Sequence, residues 1–122
     1  MSLRANAGRL LVHQVASRVC RDVTELASGF SGPAALARGD QMVRASLSVT
    51  SNIAEACGLG TVQEFRQFLG YAKGSAHELR SQLQVSKWLI PSRTRSLHLL
   101  EGRVTLVIKM LDRLQQHPPP ER

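Results

Sequence analysis

Apolar residues recur at steps of three and four along most of the chain, which is the spacing of one face of an α-helix. Long segments with this pattern are free of proline. The pattern predicts an all-α protein with helices over residues 10–28, 40–57, 62–89 and 94–116. Four helices of this length predict a four-helix bundle. At 122 residues the chain forms a single domain, 1–122, with a frayed tail at 117–122.

Signals at the helix starts support these boundaries. Asp40 is a candidate N-cap for the second helix, because a carboxylate accepts from free backbone N–H groups. Thr61 and Glu64 form a Thr-x-x-Glu capping box that opens the third helix.

The second helix carries two adjoining apolar stripes, a wider buried arc than one partner helix requires. We therefore expect it to pack both in the core and against a neighbouring subunit. The stripes are Met42, Ser46, Val49, Ile53 and Ala56, and beside them Val43, Leu47, Thr50, Ala54 and Cys57.

The chain is basic, with 16 Lys and Arg against 9 Asp and Glu and a formal net charge of +7. Such a balance favours polyanions: RNA, DNA, anionic lipid or an acidic protein. A compositional bias towards arginine is the alternative explanation. No apolar run approaches the ~20 residues that a membrane span needs.

The two cysteines, Cys20 and Cys57, lie on predicted apolar helix faces without C-x-x-C or metal-ligand spacing. Free thiols in a reducing cytoplasm are therefore expected. The first 21 residues contain arginines and no acid, as a transit peptide does. They lack a long apolar stretch and a cleavage site, so cytoplasmic localisation is the expectation.

The most distinctive surface pattern is a basic ladder on the third helix, made of Arg66, Lys73, Arg80 and Lys87 at seven-residue intervals. None has an acidic residue three or four positions away, so no pair within the helix neutralises it. We expect the basic ladder to lie away from Leu69, Ala76 and Leu83 and to bind nucleic acid, unless it is only a solvated face. Aromatic residues make up only 4% of the chain, so base stacking has little support.

Polar residues accompany the apolar faces of the middle helices. We expect Asn52, Glu55, Ser75 and Glu78 to form an interhelical polar network that fixes the register of the bundle. An acid–base or metal site is the alternative, but the chain has no Glu-x-x-His motif of the kind that ferritin-like bundles use. No catalytic residue, metal or cofactor is therefore expected.

Two glycines, Gly70 and Gly74, fall in the middle of the third helix. Each costs about 1 kcal/mol relative to alanine there, so a compensating reason is needed. Close packing of another helix is the expected reason, and close approach of a ligand backbone is the alternative.

Several of these residues together carry a family resemblance. The segments are Arg44-Ala45, Ser51-Asn52-Ile53-Ala54-Glu55, Glu64-Phe65, Phe68-Leu69, Gly74-Ser75, Glu78-Leu79 and Gln82-Leu83. They resemble the core motifs of the small bundle proteins encoded in 23S ribosomal RNA intervening sequences. The chain departs from that pattern at Thr50, Ala56 and Leu59, which stand where the family has proline, glycine and arginine.

The resemblance implies an up-and-down four-helix bundle that assembles into a ring-like homopentamer without enzymatic activity. Relatives include the accessory variability determinant of diversity-generating retroelements, which associates with a reverse transcriptase and nucleic acid. The expected function is therefore a non-enzymatic oligomer that binds RNA or another nucleic acid. The alternatives are an adaptor for an acidic protein partner or a reverse transcriptase and, more remotely, an enzyme or metal carrier that uses Asn52, Glu55 and Glu78.

Overall fold

Four α-helices make up most of the computed structural model, which describes residues 10–58 and 60–119. The predicted tail beyond Pro119 and the departure at Leu59 lie outside the described residues. The helices are α1 (Leu11–Ser28), α2 (Ala35–Gly58), α3 (Val62–Leu89) and α4 (Thr94–Gln116), with a 3-10 turn at Pro91–Arg93 before α4.

The helices follow one another around the bundle in chain order, so that α2 packs between α1 and α3 while α4 packs against α3 and α1. Short connections make neighbouring helices antiparallel, and all four contribute to one core, which is aliphatic apart from the buried Phe65. A central layer of this core consists of Ala16, Val19, Ser46, Val49, Ala76, Leu79, Val104 and Val107. The structure confirms the predicted all-α, up-and-down four-helix bundle.

The apolar stripes predicted for the first and last helices, α1 and α4, are buried. In α1 the buried residues are Val12, Ala16, Val19, Val23 and Leu26. In α4 they are Leu97, Leu100, Val104, Val107, Ile108 and Leu111. Since residues at these steps share one helix face, the hydrophobic pattern alone was enough to orient both helices.

The start of α2 differs from the sequence prediction. The helix begins at Ala35, so Asp40 lies inside it, exposed, and is not its N-cap. The extra turn packs because Gly39 is buried against α1, where a Cβ on Gly39 would lie 3.2 Å from the Ala27 Cβ. Alanine, leucine and arginine in residues 35–38 are strong helix formers, which explains why the helix extends past the carboxylate.

Arg38 fixes the connection that leads into α2. Its Nη2 donates to the Ser31 carbonyl at 2.8 Å and its Nε to the Pro33 carbonyl at 3.1 Å. The guanidinium also lies 5.5 Å from the centre of the Phe30 ring, within cation–π range.

The capping box that opens α3 forms as predicted at its first bond, since the Thr61 hydroxyl accepts from the Glu64 N–H at 3.1 Å. The second bond differs from the usual pattern. Glu64 accepts from the Thr61 hydroxyl at 2.9 Å, and no bond from its carboxylate to the Thr61 backbone is formed among the described residues. Local sequence therefore fixes the start of α3.

Candidate nucleic-acid interface

The basic ladder does not lie where the sequence analysis placed it. Each of its four cations directly follows a residue of the buried row of α3, which comprises Phe65, Ala72, Leu79 and Ser86. The basic ladder therefore runs along the edge of the core that faces α4, and not on the side away from it. α4 packs along this edge, so its side chains decide how much of the positive charge remains available.

Two members of the basic ladder are neutralised by α4. Lys73 Nζ lies 2.6 Å from Asp112 Oδ1 and donates to Gln115 Oε1 at 2.9 Å. Lys87 Nζ lies 3.2 Å from Glu101 Oε1. These ion pairs join α3 to α4. The spacing of acidic residues within α3 therefore gave no sign of them.

The other two members have no carboxylate partner among the described residues. Arg66 is exposed and donates from Nε to the Gln115 carbonyl at 2.8 Å. Arg80 is half-buried and its Nη2 lies 3.0 Å from His77 Nδ1. Their charge is therefore uncompensated locally.

Helix α4 has four exposed cations that the sequence analysis did not single out; Arg103 pairs with Asp22 of α1, and the other three are Arg95, Lys109 and Arg113. Arg95 and Lys109 fall fourteen residues apart on the outer side of α4, away from Leu97, Val104 and Leu111. This separation of two heptads is the sequence signal that would have identified Arg95 and Lys109. Together with the basic ladder they form the basic face: Arg66, Lys73, Arg80, Lys87, Arg95, Lys109 and Arg113.

Charge is segregated on the described part of the molecule. The basic face holds seven cations against the two carboxylates of Glu101 and Asp112, a net of five positive charges. The remaining described residues carry six arginines and six carboxylates, which balance. Counted by helix, α3 and α4 together carry a net of four positive charges and Arg93 in the turn between them adds one, while α1 and α2 each balance.

The predicted polar network forms only in part, at the α2–α3 contact. Ser48 and Ser75 hydroxyls lie 2.8 Å apart, and Asn52 Nδ2 donates to the Ser48 carbonyl at 2.8 Å and to its hydroxyl at 3.1 Å. Ser48 therefore links Asn52 to Ser75. Hydroxyl and amide groups fix this helix contact.

The two carboxylates predicted for this network do not join it. Glu55 and Glu78 are exposed. Glu78 accepts a long hydrogen bond of 3.4 Å from Gln82, and Glu55 has no polar partner among the described residues. Their inclusion was wrong because both lie on the solvent side of their helices, where water satisfies a carboxylate.

The prediction of close helix packing at the mid-helix glycines was wrong within the chain at Gly74, whereas Gly70 lies close to a side chain of α4. Gly74 is exposed, and a Cβ there would meet nothing within 4 Å. At Gly70 a Cβ would approach only Gln115 Nε2, at 3.4 Å. The glycine at a close helix contact is Gly39, which shares a heptad position with the buried residues Ser46 and Ile53.

The described residues contain no group of three or more His, Cys, Asp or Glu side chains that could hold a metal ion. Burial raises the pKa of the Cys57 thiol, which keeps it protonated and a poor nucleophile.

A second surface, formed by α1 and α2, has few charged side chains: Asp40 is exposed at its end, in the heptad position of Leu47 and Ala54. We call it the neutral face; it consists of His13, Ser17, Cys20, Thr24, Leu36, Val43, Leu47, Thr50, Ala54 and Cys57. Val43, Thr50 and Cys57 of the second apolar stripe are half-buried, whereas Leu47 and Ala54 are exposed. The second stripe of α2 is thus only partly covered within one chain.

No helix in the described part of the chain combines the length and apolar character needed to cross a membrane. The molecule belongs to the class of small antiparallel four-helix bundles and carries one basic face. The chain is a member of the 23S rRNA-intervening sequence protein family, whose family model matches residues 8–113. No curated protein matches it.

Proposed function

We propose that the protein is a non-enzymatic, oligomeric, cytoplasmic four-helix bundle that binds RNA or another nucleic acid through the basic face. The observation that carries this proposal is the charge segregation: α3, α4 and the turn between them carry a net of five positive charges, one of them on Arg93 in the turn, while α1 and α2 each balance. The family's name refers to 23S rRNA, which favours RNA among the polyanions.

The basic face suits a phosphate backbone because its cations follow two adjacent, antiparallel helices. At 1.5 Å per residue, the basic ladder extends over about 32 Å. Arg80, Arg95 and Lys109 have no carboxylate partner among the described residues, so they retain their charge for a ligand. Neutralising phosphates with such groups releases counterions, which makes the affinity depend steeply on salt.

Self-association is the second part of the proposal, and a homopentamer is the state expected from the family resemblance. Copies of a chain with a net charge of +7 repel one another, so they associate most easily through a surface with little charge. The neutral face is such a surface, and it exposes Leu47. A ring would repeat the basic face on every subunit and so raise the avidity for a long nucleic acid.

An adaptor for an acidic protein, such as the acidic surface of a reverse transcriptase, is the alternative use of the same basic face. Binding to RNA in the absence of any other protein separates the two functions. The measurement is a titration of labelled RNA with purified protein over a series of salt concentrations.

We expect binding at low salt and a linear fall of log K with log salt, with a slope of about −0.7 for each single-strand phosphate contact. Absence of binding at low salt would contradict nucleic-acid binding and favour the adaptor. Light scattering on the same sample tests the oligomer, since a mass of 13.4 kDa would show a monomer.

A further inference from the structure

The single tryptophan of the chain, Trp88, lies in the last turn of α3 directly after Lys87. Its exposure is 86%, the highest among the exposed large hydrophobic residues. No hydrogen bond, ring contact or cation–π contact in the described part of the chain engages its indole. An aromatic ring of this size is usually covered, so its free faces are available for a ligand.

The other exposed aromatic residue, Tyr71, is already engaged. Its hydroxyl accepts from Gln67 Nε2 at 2.8 Å, and its ring makes an edge contact with Phe68 at 5.2 Å between centroids. Trp88 is therefore the exposed aromatic side chain in the described residues that is free to stack.

Trp88 lies at the end of α3 at which the basic ladder ends. Lys87 precedes it, and the turn at Pro91–Arg93 brings the first turn of α4, with Arg95 and the exposed His98, to the same end of the bundle. The ion pair between Lys87 and Glu101 fixes the pairing of the two helices there. The end of the bundle that carries Trp88 thus also carries Lys87 and Arg95, whose positive charge would attract the phosphates of a nucleic acid.

We infer that Trp88 stacks on an unpaired base of a single strand whose phosphates lie along the basic face. This inference rests on the proposed function and adds a preference for single-stranded over double-stranded nucleic acid. In a duplex the faces of the bases are covered by their neighbours, whereas in a single strand they are free to stack on an aromatic side chain. The net positive charge of the basic face provides the charge complementarity for the same ligand.

The fluorescence of Trp88 reports directly on this contact, because no other tryptophan is present. The protein is titrated at low salt with a single-stranded RNA oligonucleotide and with a fully paired, blunt-ended RNA stem of the same length. We expect the single strand to quench the fluorescence and the stem to leave it nearly unchanged. The emission of the free protein should be that of a water-exposed indole.

Variants measured by anisotropy of the labelled RNA complete the test. Trp88→Ala should weaken single-strand binding by about 5- to 150-fold, the range for loss of one stacked base, and should leave stem binding unchanged. Trp88→Phe should retain most of the affinity, because it keeps an aromatic face. Leu89→Ala is the matched control, since Leu89 is the next residue and is 56% exposed, and it should bind like the wild type.

Three results would overturn the inference. Single-strand binding with neither quenching nor an effect of Trp88→Ala would remove Trp88 from the interface while leaving the proposed function standing. Emission of the free protein that shifts to longer wavelength on dilution would show that a second copy covers Trp88. Absence of binding to either RNA would remove the proposed function and this inference together.

Discussion

Arg66 and Gln115 exchange two hydrogen bonds across the contact between α3 and α4. Arg66 Nε donates to the Gln115 carbonyl at 2.8 Å, and Gln115 Nε2 donates to the Arg66 carbonyl at 3.0 Å. The Gln115 side chain also accepts from Lys73. The end of α4 is thereby attached to α3 beside Gly70, where the absence of a side chain leaves room for the amide.

Replacing Gln115 with alanine should loosen this end of α4. The variant removes the side-chain bonds to the Arg66 carbonyl and to Lys73 but keeps the bond from Arg66 to the backbone. We expect a loss of about 1 kcal/mol in the free energy of unfolding, since partly exposed hydrogen bonds contribute little each. Hydrogen exchange should accelerate in the last turn of α4 and not in its middle. Unchanged exchange there would show that the attachment is unimportant.

Two glycine substitutions should act in opposite directions. Gly39→Leu places a branched side chain where even a Cβ would lie 3.2 Å from the Ala27 Cβ, and it should cost about 1–3 kcal/mol. Gly74→Ala meets nothing within 4 Å in the chain and should stabilise by about 1 kcal/mol through helix propensity. Chemical denaturation measures both. A destabilised Gly74→Ala variant would indicate that a neighbouring subunit packs over Gly74.

Members of the basic ladder should differ in their importance for stability. Glu101 has a side-chain exposure of 15%, and its Oε2 is buried without a hydrogen-bond partner, so Lys87 is its main compensation. Lys87→Gln should therefore cost about 1–3 kcal/mol by leaving a poorly solvated carboxylate. Arg80→Gln, which strands no carboxylate, should remain within about 0.5 kcal/mol of the wild type. Equal losses in urea unfolding would argue against this distinction.

A charge on the neutral face should disrupt self-association. Leu47→Glu introduces a carboxylate into the surface proposed to join copies, which is costly when that surface is desolvated. Leu106→Glu is the matched control, because Leu106 on α4 is equally exposed at 49%. Light scattering should show a reduced mass for the first variant and the wild-type mass for the second. The reverse result would place the interface on α4.

The sequence predicted the helices well because periodicity and capping are local properties. The apolar steps of α1 and α4 and the cap at Thr61 each depend on residues within a few positions of one another. The start of α2 was missed because Asp40 is a suitable cap, yet burial of Gly39 against Ala27 extends the helix beyond it. That contact joins two helices and has no local signal.

The candidate site was harder to predict because its electrostatics depend on which helix covers which edge. Asp112 pairs with Lys73 from 39 positions away, so only the tertiary arrangement shows that this cation is neutralised. Seven-residue spacing identified the members of the basic ladder but not their side of α3. A glycine in the middle of a helix likewise marks a position where a better helix former is expected, but it does not show what packs against that position. At Gly74 nothing in the chain does.

The most direct test of the account compares two triple variants that remove the same charge from different surfaces. Arg80, Arg95 and Lys109 are changed to glutamine on the basic face, and Arg18, Arg21 and Arg44 are changed to glutamine on the control surfaces. The dependence of RNA affinity on salt is then measured for both. The first variant should bind more weakly, with a slope reduced by about 0.7–0.9 for each lost contact, while the control keeps the wild-type slope. Equal slopes in the two variants would contradict binding through the basic face.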